Sequence, residues 1–94
     1  MSVKIVLAKF RLGHIVTTPN ALTELSEDDI FCGIQRHQAG DWGDVSEPDR
    51  QENELSLIEG RRLWSVYHAA NGTKFWLITE HDRRRTTVLM PEDY

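Results

Sequence analysis

The chain has one cysteine, Cys32, in 94 residues. No internal disulfide is open to it, so its stability must come from a packed core, which fits a reducing compartment. Long apolar runs are missing too. The longest, Val3 to Ala8, is interrupted by Lys4 and falls far short of the roughly 20 residues that a membrane-spanning helix needs. No leader pattern of basic, apolar and cleavable regions opens the chain, so the expectation is a cytosolic protein without a membrane partner. Glycine-rich phosphate loops and Cys-x-x-Cys pairs are equally missing, and Ser65 lacks a Gly-x-Ser-x-Gly setting. His14, His37, His68 and His81 do not stand at zinc-binding spacings. Cys32 is expected as a small buried apolar residue of a helix. With no catalytic constellation, neither an enzyme nor a cofactor is expected.

What is present is an ordinary globular composition, 39% apolar and 28% charged, which argues against disorder. The length suffices for a single domain with one core, residues 1–94. The net charge of −4 hides a division along the chain. Between Glu24 and Glu59 eleven carboxylates face Arg36 and Arg50, a net of −9, whereas the remainder carries four acidic and nine basic residues, a net of +5. Such asymmetry speaks of partners and orientation, not of fold.

Alternation of Val3, Ile5 and Leu7 with Lys4, resumed at Phe10 and Leu12, predicts extended structure that breaks at Gly13. Ala21 to Leu25 reads as one helical turn. Ser26 is placed to cap a second helix by accepting the Asp29 N–H, with Ile30, Phe31, Ile34 and His37 as its apolar stripe and Gly40 as its end. Ser46 caps a third helix with Pro48 in its first turn, an inward face of Leu55, Leu57 and Ile58, and Gly60 as terminator. From Arg62 the period changes to two. Leu63 to Tyr67 and Phe75 to Thr79 flank Asn71-Gly72, a hairpin signal that allows positive φ at both residues, and a reversal at Asp82 to Arg84 leads to a strand at Thr86 to Met90. The fold class expected is α+β: a three- to four-stranded antiparallel sheet built on a C-terminal meander, with two or three helices on one face.

Three segments carry a likeness: Gly40-Asp41-Trp42-Gly43-Asp44, Thr79-Glu80-His81-Asp82-Arg83, and Thr86-Thr87-Val88-Leu89-Met90-Pro91-Glu92-Asp93-Tyr94. In this order they resemble a family of small, uncharacterised bacterial proteins borne on plasmids and prophages. The resemblance runs from Phe10 onward, leaves Met1 to Lys9 outside, and finds Arg84-Arg85 more basic than the family pattern. It implies a bacterial, cytosolic protein of a mobile element and raises an anti-defence role, but supplies no activity.

Three surfaces are candidates for function. The first is an acidic face of Asp28, Asp29, Asp41, Asp44, Glu47 and Glu54, with Trp42 at its loop, presented to a host or element-encoded protein such as a nucleic-acid-handling complex. The second is a nucleic-acid site of Lys74, Arg83, Arg84 and Arg85, where arginines would hold phosphates and interleaved Trp64, Tyr67, Phe75 and Trp76 would stack bases. The third is an oxygen-rich metal site of His37, Asp41 and Asp44, which would make the protein a metal-dependent enzyme.

Overall fold

The computed structural model describes residues 7–94, which form an α+β architecture. The order is β1 (His14–Thr17), α1 (Pro19–Glu24), α2 (Glu27–Gln38), α3 (Glu47–Glu59), β2 (Leu63–His68), β3 (Lys74–Thr79), β4 (Arg85–Leu89) and a 3₁₀ turn at Pro91–Asp93. The part of the expected first strand at residues 3–6 lies outside the described residues.

Residues 7–13, expected as extended structure before a break, form no strand, and β1 begins only at His14; the glycine itself does mark a special backbone position, since Gly13 has φ +66° and a Cβ there would lie 2.3 Å from the Arg84 backbone. Only glycine lets the chain pass so close to the β3–β4 turn. The predicted caps form as well. The Ser26 hydroxyl accepts the Asp29 N–H at 3.1 Å while the Asp29 carboxylate accepts the Ser26 N–H at 3.3 Å, a reciprocal arrangement worth roughly 1 kcal/mol. Ser46 accepts from Asp49 at 3.2 Å, and Gly60 closes α3 in the left-handed region. The β2–β3 turn differs in detail from expectation. Only Gly72 has positive φ; Asn71 instead accepts the Thr73 N–H through its side chain at 3.0 Å. The loop is therefore a three-residue one with a left-handed glycine, not a two-residue mirror-image turn.

The sheet runs β1-β4-β3-β2. The meander β2-β3-β4 is antiparallel as expected, but β1 lies parallel to β4, so the sheet is mixed. Tight hairpins force antiparallel neighbours, whereas three helices separate β1 from the meander and leave its direction free.

Alternation divides the sheet into two faces. Tyr67, Phe75, Leu77 and Val88 point inward and are packed with Ala21 and Leu25 of the α1 region, against which Ile30 and Ile34 of α2 also lie. Burying each large apolar side chain there contributes roughly 1.5–3 kcal/mol. The opposite face carries Trp64, Trp76, Ile78, Thr87 and Val16, placed side by side by the strand register.

Helix α3 corrects the sequence expectation. Leu55 is 40% and Ile58 84% exposed, while Asn53 and Ser56 are buried. The reason is where α3 docks: Asn53 lies against the outer edge of β2, donating to the Trp64 carbonyl at 2.7 Å and accepting the Trp64 N–H at 3.0 Å. Two residues on, the Val66 N–H donates to the Trp42 carbonyl at 3.0 Å and the Val66 carbonyl accepts the Asp44 N–H at 2.8 Å. An edge strand needs such partners, and polar residues supply them better than Leu or Ile. On α2, Phe31 and Cys32 are exposed rather than inward. Gly33 takes the packed position instead, where a Cβ would fall 2.9 Å from the Phe75 ring.

Candidate functional site

The acidic residues singled out from the sequence are mostly engaged with their own chain. Asp41 accepts from the Arg36 guanidinium at 2.7 and 3.3 Å and from the Gly43 N–H at 3.2 Å; the Arg36 bond holds its carboxyl below the usual range. Asp44 pairs with His68 at 2.9 Å, which likewise lowers its pKa. Glu47, bonded first to Arg50 and then to Gln51, is lowered to about 2. Asp29, lowered chiefly by Ser26, also accepts the Ala70 N–H at 3.1 Å and so ties α2 to the hairpin. Glu54 accepts the Trp42 indole N–H at 2.8 Å. Trp42 is only 4% exposed, between Phe10 and His37, so it is a core residue and not a contact residue. Asp28 is exposed and makes no ion pair among the described residues.

His37 is wholly buried, and both ring nitrogens are bonded: Nδ1 to Ser65 Oγ at 2.5 Å and Nε2 to Thr79 Oγ1 at 2.8 Å. The chain continues from Thr79 to Thr86 at 2.7 Å, and Thr86 donates to the Leu12 carbonyl at 2.8 Å. That carbonyl can only accept, so every proton upstream is assigned. Thr86 donates to Leu12 and must accept from Thr79. Thr79, its one proton committed, accepts from Nε2–H, and Nδ1 accepts from Ser65. The ring is therefore the neutral Nε2–H tautomer, and burial, with Arg83 adding repulsion, depresses its pKa to about 3. His37 is thus a satisfied core residue with no lone pair left for a metal. Asp41 and Asp44 turn to Arg36 and His68 instead, and no metal-holding cluster of acidic, His or Cys side chains exists among the described residues.

The basic turn divides. Arg83, at φ +60°, folds inward and donates to the carbonyls of Arg61 at 2.6 Å, Glu80 at 3.0 Å and Ser56 at 3.0 Å. Its guanidinium also stands over the Phe10 ring. It secures the end of α3 and leaves the surface patch. Lys74, Arg84 and Arg85 are exposed and make no ion pair among the described residues.

On the face opposite α1 and α2 the structure assembles a site that the sequence left undivided. Trp64 and Trp76 meet edge to face at 5.3 Å, and Tyr94 stands against Trp76 at 5.7 Å. Arg62 donates to the Tyr94 hydroxyl at 3.0 Å and pairs with Glu80 at 3.2 Å. Together with Ile78 these residues line a cavity of about 300 Å³, at the small end of ligand pockets. The Trp64 indole N–H is buried and finds no acceptor among the described residues. Leaving such a donor unpaired costs about 1–3 kcal/mol. Val66, Ile78 and Leu89 on this face are buried, because Trp76 is the cross-strand neighbour of Val66 and Leu89, and Trp64 of Ile78. The signal available in the sequence was parity: Trp64 and Trp76 are out of phase with Tyr67 and Phe75, which the core takes. Nothing in the pattern pointed to Tyr94, which reaches the site from beyond β4.

No protein-family model, curated protein or solved structure matches this chain.

Proposed function

We propose that this protein is a non-catalytic binding module whose working surface is the face of the sheet opposite α1 and α2. The observation that carries this reading is the cavity of Trp64, Trp76, Ile78 and Tyr94, with the Arg62 guanidinium among the groups that line it. Rings held edge to face offer flat apolar walls, and Arg62 supplies donors for an acceptor group on an aromatic or planar ligand. Rings, an apolar side chain and one guanidinium make up its lining, which suits binding of a flat group.

The three tryptophans give a direct test. In a ¹⁵N-labelled sample, titration with benzoate and related small aromatic acids should shift the indole N–H signals of Trp64 and Trp76. Trp42, bonded to Glu54 behind the sheet, should stay still. If none of the three moves at millimolar ligand, or all move alike, the sheet face is not the working surface.

A second reading, docking of a host or element-encoded protein on the acidic helices, is favoured by one feature: Phe31 is 60% exposed, one turn after Glu27 and Asp28 on α2. Substituting Asp28→Lys with Phe31→Ser should then abolish capture of a partner from bacterial lysate. Undiminished capture removes this reading. The mobile-element and anti-defence setting is compatible with either surface.

A further inference from the structure

The strand register sets out the open face as rows. At one end Arg62, Glu80, Arg85 and His14 stand abreast: Arg62 pairs with Glu80, the Glu80 N–H donates to the Arg85 carbonyl, and Arg85 is the β4 partner of His14. Next come Trp64, Ile78, Thr87 and Val16, then Val66, Trp76 and Leu89. At the far end His68 stands beside Lys74. Rings and apolar groups thus occupy the middle, and cations stand at both ends. A second concavity, of about 590 Å³, lies at the arginine end between His14, Glu80, Arg84 and Arg85. It adjoins the ring cavity through the Arg62–Glu80 pair. A carboxylate stands at each end as well, Glu80 paired with Arg62 and Asp44 with His68; the other carboxylates from Glu24 to Glu59 belong to the helices and the loop before α3.

Resting on the sheet-face reading, we infer that the occupant of this surface is single-stranded nucleic acid: a base enters the cavity of Trp64, Trp76 and Tyr94, and phosphates of the strand to either side of it meet Arg62 and Arg85 at one end and Lys74 at the other. Two features favour this ligand over an acidic polypeptide. Cations stand at both ends of a ring-lined slot, about 20 Å apart along the strands at 3.3 Å per residue, so negative charge is wanted on either side of a run of flat groups, as in a short single strand whose bases stack on rings. Arg62 already holds a phenol in the slot, since the Tyr94 hydroxyl accepts from it and the ring lies 5.8 Å from its guanidinium. Tyr94 is 71% exposed and can turn aside to let a base take its place.

The test uses the full chain, ¹⁵N-labelled, with a deoxythymidine decamer as probe and benzoate and poly-glutamate as separate arms. The decamer should shift Trp64 and Trp76 and leave Trp42 unmoved. Three phosphate contacts predict that log affinity falls with log salt at a slope of about −2 for a single strand. Lys74→Glu with Arg85→Glu, both at exposed positions, should weaken binding at least tenfold while the benzoate shifts persist. Benzoate shifts without any response to the decamer would overturn the nucleic-acid assignment and leave the sheet-face reading standing; silence in both arms would remove both. Equal shifts with poly-glutamate would reassign the surface to an acidic polypeptide, and equal affinity for a duplex of the same length would exclude a base in the slot.

Discussion

The two faces of one four-stranded sheet treat buried polar groups in opposite ways. On the inner face Ser65, His37, Thr79 and Thr86 form a single directed chain that ends on a carbonyl, with each proton accounted for. On the outer face the buried indole N–H of Trp64, a residue that lines the cavity, has no acceptor among the described residues. The closed chain fixes how α2 sits on β2, β3 and β4. The open donor ties Trp64 to no other described element.

The largest expected effect breaks the inner face with acid. The pKa of His37 is about 3 in the folded protein and about 6.5 for an exposed ring. Between those values the unfolded chain binds a proton that the native chain does not, so stability is complete above about pH 6.5 and is lost as the pH falls toward 3. The loss amounts to roughly 4 kcal/mol by linkage, read from urea unfolding across that range. His37→Gln should remove most of this slope; a slope unchanged in the variant would mean that carboxylates, not His37, govern acid sensitivity.

The next largest effect concerns the β2 edge. Asn53→Ala strips both partners from the Trp64 backbone and should cost about 2 kcal/mol, against a negligible change for Leu55→Ala on the exposed side of the same helix. Equal costs would show that α3 is held by its apolar residues after all. The smallest and most discriminating effect compares two tryptophans. Trp42→Phe removes an indole that donates to Glu54, whereas Trp64→Phe removes an unpaired donor. The first should therefore cost more than the second by about 1 kcal/mol in matched denaturation curves. A reversed order would show that the Trp64 N–H has an acceptor in solution.

Local chemistry was legible along the chain because caps, turns and alternation act over a few residues. Ser26 and Ser46 start their helices, Gly13 and Gly60 mark where the backbone must turn left-handed, and the change of period at Arg62 announces the meander. The same local rules gave His37 its place on the buried stripe of α2. They misplaced Phe31, Leu55 and Ile58, because which face of a helix is buried depends on what it meets, and α3 meets a strand edge that asks for amide groups. The charge division between helical segment and sheet was also there to be counted.

Only the tertiary structure decided what those charges and rings do. It turned Arg83 inward onto three carbonyls, joined Asp41 to Arg36 and Asp44 to His68, and withdrew Trp42 into the core. It set β1 parallel to β4, which no turn in the sequence prescribes. It also brought Tyr94 back across the sheet to Arg62 and Trp76, over a sequence separation that no periodicity spans. A sequence fixes what each residue prefers within its own turn of helix or pair of strands. The partners that satisfy a buried donor, or fail to, come from distant parts of the chain and exist only once the layers have packed.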